Sequence, residues 1–226
     1  MIGKLKIAAI AVFAAALGLT ASASRAAVIV QSGDTYGGWT ITLPAGISLV
    51  VDSVTSSTIS IEKFAEFPSD AGLPIDFMQT PGTTAVPTID IANEMVTNAS
   101  GGGWSGFQFL IANVSEGLGS GAASFSGSTF VAPTGFTLGA TSGTSITYTG
   151  SQANGTTSAW GFGSDAGSLI INANPSAPGT FGQDFVFKEQ PLTNLVSLSS
   201  AAWQGLAGLL GLALVAGARN AKKLLA

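Results

Sequence analysis

The side chains in this sequence that could do chemistry are carboxylates. The chain of 226 residues has twelve Asp and Glu residues, no His and no Cys. A Ser–His–Asp or Cys–His nucleophile therefore cannot be assembled. A glycosidase-type carboxylate pair is the remaining hydrolytic arrangement. Its candidates are Glu62, Glu66, Glu94 and Glu116. Nothing in their spacing defines a pair, so we predict that the protein is not an enzyme.

Calcium is the metal that this set of side chains suits best, because it binds carboxylate and carbonyl oxygens. Six of the seven aspartates are candidate ligands that are scattered singly along the chain: Asp34, Asp52, Asp70, Asp76, Asp90 and Asp165. No Asp-x-Asp-x-Asp-Gly loop is present. We predict no cofactor and assign no metal ligands, with a structural calcium ion as the alternative.

Aromatic side chains could stack on sugar rings if they were exposed. The candidates are Tyr36, Trp39, Trp104 and Trp160. In a small β-domain a Trp is more often a core residue than a binding platform. Trp104 and Trp160 are therefore glycan-stacking residues only under the alternative hypothesis of a carbohydrate-binding module.

Charge is distributed very unevenly along the chain. Residues 28–190 contain all twelve acidic residues and only two basic ones, Lys63 and Lys188, which gives a net charge of −10. Such a domain repels phosphate backbones, so we predict no nucleic-acid partner. The charge is otherwise typical of a soluble secreted domain.

The N-terminus resembles an export signal. Lys4 and Lys6 precede an uncharged apolar run, 7–19, and small residues follow it, with cleavage sites after Ala23 or Ala26. These three features in this order are those that a signal peptidase recognises. We predict a signal peptide, with a helical apolar run, at residues 1–26.

The C-terminus is predicted to cross a membrane. Residues 201–218 carry no charge, and a helix of this length spans about 27 Å, close to the thickness of the hydrocarbon layer. Arg219, Lys222 and Lys223 follow at once. Positive residues stay on the cytoplasmic side, so we predict a transmembrane helix at 201–218 and a basic cytoplasmic tail at 219–226.

The middle of the chain alternates apolar and polar residues with a period of two. The clearest stretches are 39–43, 58–64, 107–111, 146–149 and 185–187, and 169–171 is a short apolar run. Gly, Pro, Asn and Ser bound these stretches, a pattern typical of strands and turns. We predict an all-β, single antiparallel β-sandwich (jelly-roll-like) over 28–190. Residues 89–96 are ambiguous, and we interpret them as a strand followed by a loop.

The segment between the β-domain and the apolar helix contains a sorting-like motif, which we place in a linker over 191–200 that runs into the helix. Its residues are Val196, Leu198, Ser200, Ala201, Ala202 and Trp203. With the Gly/Leu-rich helix and the basic stub, this motif resembles the tail of PEP-CTERM proteins, the bacterial substrates of exosortases, in its variant without Pro-Glu-Pro. Ser stands at both positions where the variant tails have Pro.

The resemblance implies a non-enzymatic protein of the cell surface or extracellular matrix of a bacterium. It implies processing by an exosortase-like transpeptidase, transient or permanent anchoring by the C-terminal helix, and association with exopolysaccharide. A carbohydrate-binding module on the cell surface is the alternative function.

Overall fold

Fourteen β-strands form the described part of the chain. The computed structural model describes residues 27–115, 122–163, 166–178 and 182–193. The strands are β1 (Val28–Ile29), β2 (Asp34–Tyr36), β3 (Trp39–Thr42), β4 (Ile47–Val54), β5 (Thr58–Phe67), β6 (Leu73–Gln79), β7 (Thr88–Asn98), β8 (Trp104–Ser115), β9 (Ser124–Phe125), β10 (Phe136–Thr141), β11 (Ser145–Gln152), β12 (Thr157–Trp160), β13 (Leu169–Asn172) and β14 (Asp184–Leu192). None of the described residues lies in a helix, which confirms the prediction of an all-β domain.

The strands form two seven-stranded sheets. Sheet A has the order β1-β4-β5-β7-β13-β9, and β12 pairs with the same edge of β7 as β13 does. Sheet B has the order β10-β11-β8-β14-β6-β3-β2. Among the described ladders β5–β7 is parallel, so the prediction of a purely antiparallel domain is wrong at that pair. A parallel pair needs a crossover connection, and here the chain crosses to sheet B for β6 and returns.

The two sheets share one hydrophobic core, in a β-sandwich-like arrangement. Rings from the two sheets touch edge to face. The ring centroids of Phe67 of β5 and Trp104 of β8 are 5.4 Å apart, and those of Phe125 of β9 and Phe187 of β14 are 6.4 Å apart. Edge-to-face contacts of this kind are the favoured geometry of aromatic pairs. The alternation of apolar and polar residues in the sequence therefore gives each sheet one apolar face, and these two faces pack against each other.

The predicted strand segments coincide with strands of the structure, and three predicted details are corrected. Residues 89–96 form no loop, because β7 continues from Thr88 to Asn98. The β-domain does not end at Gln190, since Pro191 and Leu192 still pair with Phe107 and Gly106 of β8. Leu43 follows the last residue of β3.

A bulge in β7 reverses which side chains face the core. Ile89 and Ile91 point inward. The register of the β5–β7 ladder shifts between Ile61 and Glu62 of β5, and beyond this shift the inward positions of β7 are Glu94, Val96 and Asn98. A bulge inserts one extra residue and so moves every later side chain to the opposite face. Without it, Glu94 would point to solvent.

Gly161 allows the chain to pass closely over this bulge. Its φ is +73°, and a Cβ atom there would lie 2.5 Å from the carbonyl oxygen of Ala92 and 3.0 Å from Cα of Asn93. Both contacts are with backbone, which cannot rotate away. Gly163 has a similar backbone, with φ +104°, but no described atom would lie within 4 Å of its Cβ.

We expect Gly161→Ala to lower the free energy of unfolding by roughly 2–4 kcal/mol, because it adds a backbone clash to the cost of a positive φ. Gly163→Ala is the matched control and should cost roughly 1 kcal/mol, the backbone term alone. Urea unfolding of the two variants measures the difference. Equal losses would show that Gly161 is not pressed against the bulge.

The described part of the chain includes no helix that is long and apolar enough to cross a membrane. The predicted signal peptide, 1–26, and the predicted transmembrane helix, 201–218, lie outside the described residues.

Candidate functional site

The sequence-predicted sorting and topology residues lie outside the described part of the chain. They comprise the motif residues Val196, Leu198, Ser200, Ala201, Ala202 and Trp203 and the basic residues Arg219, Lys222 and Lys223. Their roles stay predictions from the sequence.

Trp104 and Trp160 are core residues. Trp104 is 3% exposed and Trp160 is 0% exposed. The indole NH of Trp104 donates to Asp70 Oδ1 and Ser100 Oγ, and that of Trp160 donates to Ser158 Oγ. A buried indole has no face to offer a sugar ring, so the assignment of these two residues as glycan-stacking platforms is wrong.

A groove of about 510 Å³ opens beside this aromatic core, where Val131 and Phe162 are 60% and 39% exposed. Its described lining is made of apolar, hydroxyl and amide side chains and contains no Asp, Glu, Lys or Arg. The described lining of the groove thus offers surface for an uncharged ligand.

Three ionisable side chains meet inside the core. Lys63 of β5, Glu94 of β7 and Glu189 of β14 are each 0% exposed. Lys63 Nζ donates a hydrogen bond to Glu94 Oε1 and is also in ion-pair contact with Glu189 Oε1. We call these three residues the buried triad. Two of its members come from sheet A and one comes from sheet B.

Regular strand geometry positions Lys63 and Glu189. Lys63 continues the inward-facing series of Ile59 and Ile61 on β5, and Glu189 continues that of Phe185 and Phe187 on β14. Successive residues of a strand point to opposite faces, so both charged side chains must enter the core.

Glu94 reaches the same point through the bulge in β7. Its Cα partners are Lys63 on β5 and Trp160 on β12, both fully buried. The neighbouring inward-facing positions are apolar: Ile61, Ala65, Val96, Phe109 and Phe187. The triad therefore lies in a region of low dielectric constant.

The triad has one cation for two carboxyl groups. Burial raises the pKa of Glu94 well above its usual range, and the charge of Glu189 raises it further, while Lys63 acts in the opposite direction. Two carboxylates that share one buried cation cannot both ionise without a large desolvation cost. We interpret the two carboxyl groups as sharing one proton, which the raised pKa of Glu94 favours on that residue, so that the triad stays neutral overall.

Several oxygens of the triad are not paired by other groups. By strict geometry neither oxygen of Glu189 has a hydrogen-bond partner among the described residues, and Glu94 Oε2 has none either, although the carboxyl groups of Glu94 and Glu189 are close enough to interact with each other. Buried polar atoms are nearly always satisfied in folded proteins, so a cluster of unsatisfied ones requires a reason. The contact of Glu189 with Lys63 is thus close without having hydrogen-bond geometry.

The sequence contained a signal for two of the three residues. The period of two that marked β5 and β14 also places Lys63 and Glu189 on the apolar faces of those strands. Glu94 was considered as one of four hydrolase candidates, and its position opposite Lys63 depends on the bulge, which the sequence pattern does not show.

The described residues include no group of three or more His, Cys, Asp or Glu side chains arranged to hold a metal ion. Asp52 on β4 lies near Glu62 on β5. Burial, together with the negative charge of Glu62, raises the pKa of Asp52 to about 6. Asp165 lies outside the described residues.

No protein-family model matches the sequence, and no curated protein or solved structure is significantly similar to it.

Proposed function

We propose that this chain is a non-enzymatic, exported protein of the bacterial cell surface or extracellular matrix. In this proposal residues 1–26 direct export and a PEP-CTERM-like signal at the C-terminus delivers the jelly-roll-like domain to an exosortase-like transpeptidase. The domain is proposed to associate with exopolysaccharide.

The observation that carries the proposal is the position of β14, the strand next to the C-terminal segment. β14 pairs with β8 along Asp184–Leu192 and with β6 along its first part, so it is held on both edges in the interior of sheet B. A pull applied beyond Leu192 would have to shear the β8 ladder along Asp184–Leu192 and the β6 ladder along Asp184–Glu189. This is the attachment expected of a domain tethered through its C-terminus.

The other end of the domain is compatible with removal of the signal. β1 begins at Val28, after both predicted cleavage positions, Ala23 and Ala26. Val28 and Ile29 pair with Val51 and Val50 of β4. Cleavage at either position would therefore leave every described strand intact.

The net negative charge of the domain supports a location outside the cytoplasm, in a hydrated matrix. Lys63 is buried in the triad, so Lys188 is the cation that the described residues present near the surface. Acidic residues such as Glu66, Asp70 and Asp76 are exposed. A surface with a strong excess of one charge stays soluble and repels other polyanions.

Intact mass of the protein recovered from the envelope and medium of the producing cells tests the proposal. We expect an N-terminus after Ala23 or Ala26 and a C-terminus before Ala201. Reversing the basic stub, with Arg219, Lys222 and Lys223 changed to Glu, should abolish this processing because the helix loses its cytoplasmic stop. Arg219→Lys is the matched control, since it keeps the charge.

Two results would contradict the proposal. A mass that includes Ala226 in the envelope fraction would make the tail a permanent anchor and remove the sorting step. Recovery from the cytoplasm with residues 1–26 intact would remove export.

A further inference from the structure

We propose that Lys63 and Glu189 become joined by an intramolecular amide bond, which covalently links sheet A to sheet B. The buried triad holds a primary amine in contact with a carboxyl group of the opposite sheet and beside a second carboxyl group. The crosslink is a modification of the folded domain and would form whether or not the C-terminal tail is processed.

Burial supplies the driving force for this reaction. An ammonium–carboxylate pair is favoured in water because both ions are hydrated, but here all three side chains are 0% exposed. Removing ions from water is costly, and an amide is neutral. Condensation also expels one water molecule from an apolar region, so the equilibrium that opposes amide formation in solution is reversed.

The fold supplies the proximity. Lys63 and Glu189 are fixed by β-ladders on separate sheets that pack face to face, and no diffusion is needed to bring the two groups together. Reactions between groups held in this way proceed with very large effective concentrations. Formation of the bond therefore follows folding and needs no additional enzyme.

The hydrogen bonds assign the two glutamates to different roles. Glu94 Oε1 accepts a hydrogen bond from Lys63 Nζ, which suits a group that exchanges protons with the amine. Glu189 Oε1 is in ion-pair contact with Nζ, and neither oxygen of Glu189 is in hydrogen-bond geometry with a described residue. Glu189 is thus the acceptor of the new bond and Glu94 is the proton relay.

The step balances within the triad. The Lys63 ammonium gives one proton to Glu94 Oε1 while Glu94 releases its own proton to the Glu189 carboxylate, which gives a neutral amine and a neutral acid and leaves Glu94 protonated. The nitrogen lone pair attacks Cδ of Glu189 and the C–N bond forms. Glu94 takes a second proton from nitrogen and returns its own proton to the departing hydroxyl, the C–O bond breaks, and water leaves. Glu94 ends protonated, as it began, and no oxidant or cofactor is consumed.

The proposed bond would lie close to the point where load enters the domain. Glu189 stands three positions before Leu192, the last residue of β14. A covalent link there passes tension from the C-terminal segment directly to β5, in the interior of sheet A. Since the linked residues are far apart in sequence, the bond also closes a long loop and restricts the unfolded chain.

Peptide mapping of the full chain, purified from the cells that produce it and digested after complete denaturation, tests the proposal. We expect a branched species in which the peptide with Lys63 and the peptide with Glu189 are joined, with a mass equal to their sum less one water molecule. Trypsin should also fail to cleave after Lys63. Separate, unmodified Lys63 and Glu189 peptides would overturn the proposal, and a branch through Glu94 would overturn the assignment of Glu189 as acceptor.

Variants separate the chemistry from the fold. Glu94→Gln keeps the shape of the side chain but cannot relay protons, so the branched peptide should fall at least tenfold while the circular dichroism spectrum stays that of a β-protein. Lys188→Met removes the neighbouring lysine of β14 and should leave the branched peptide unchanged. Lys63→Met should abolish it and lower Tm by roughly 10–20 °C. An undiminished branched peptide in Glu94→Gln would overturn the relay role.

Discussion

Replacing Lys63 with Met is expected to lower the free energy of unfolding by at least about 3–5 kcal/mol at pH 7, since it removes the nitrogen that pairs with both glutamates and leaves two buried carboxyl groups unpaired. Lys63, Glu94 and Glu189 are all 0% exposed, so solvent cannot take the place of the lost nitrogen. Urea unfolding followed by tryptophan fluorescence measures the loss. Lys188→Met is the matched control on the half-buried, outward side of β14 and should change stability by about 0.5 kcal/mol or less.

The loss in Lys63→Met should depend on pH in a defined direction. In the variant both carboxyl groups are free: burial and the charge of Glu189 raise the pKa of Glu94, and the Lys63 interaction that lowers it is gone. A carboxyl group with a raised native pKa stabilises the fold below its unfolded pKa, and this stability is lost as pH rises through the native value. The deficit relative to the wild type should therefore shrink toward pH 4.5 and grow toward pH 8.

A variant in which all three residues are replaced tests the contribution of the whole triad. Lys63→Met, Glu94→Leu and Glu189→Leu together remove every buried charge, and such replacements are often neutral or stabilising when only ion pairs are lost. We expect the triple variant to be more stable than Lys63→Met but less stable than the wild type, because the covalent link is lost as well. A Lys63→Met variant within about 0.5 kcal/mol of the wild type would contradict the burial of the triad.

Trp160→Ala is expected to cost about 3–5 kcal/mol, the range for truncating a large aromatic residue in a packed core. The indole is 0% exposed and contacts five aromatic rings at centroid distances of 4.7–6.3 Å. They belong to Phe107, Phe109, Phe130, Phe136 and Tyr148. It also lies opposite Glu94 on β7, so its loss would open the apolar surround of the triad.

Phe162→Ala is the matched control for Trp160→Ala. Phe162 is 39% exposed, two positions further along the chain, and borders the groove. Its removal should change the free energy of unfolding by about 1 kcal/mol or less. Thermal unfolding of both variants measures the contrast. A Trp160→Ala protein as stable as Phe162→Ala would show that Trp160 is not a core residue and would restore it as a stacking candidate.

The extent to which the sequence predicted the fold follows from the range of the interactions involved. The alternation at 58–64 and 185–187 reports a local property, one buried face per strand, and the corresponding strands β5 and β14 were found where predicted. The parallel pairing of β5 with β7 depends on a crossover through sheet B, and nothing local encodes it. The interpretation of 89–96 as a strand followed by a loop was wrong because the bulge in β7 breaks the period of two while the strand continues.

The sequence also marked residues for chemistry that the structure rearranged. It left Trp104 and Trp160 as stacking residues only under the alternative hypothesis, and their burial in the shared core removes that role. It offered Glu94 as one of several single acids, and the structure placed it against Lys63 and Glu189.

By itself the sequence determined that the domain is built of β-strands and that its middle is acidic, because composition and periodicity are local properties. It also predicts two membrane-directed ends. Only the tertiary structure decided that Lys63, Glu94 and Glu189 meet. Their contact requires two sheets packed face to face and a one-residue shift in β7, and both arise from pairing between segments that are distant in the chain.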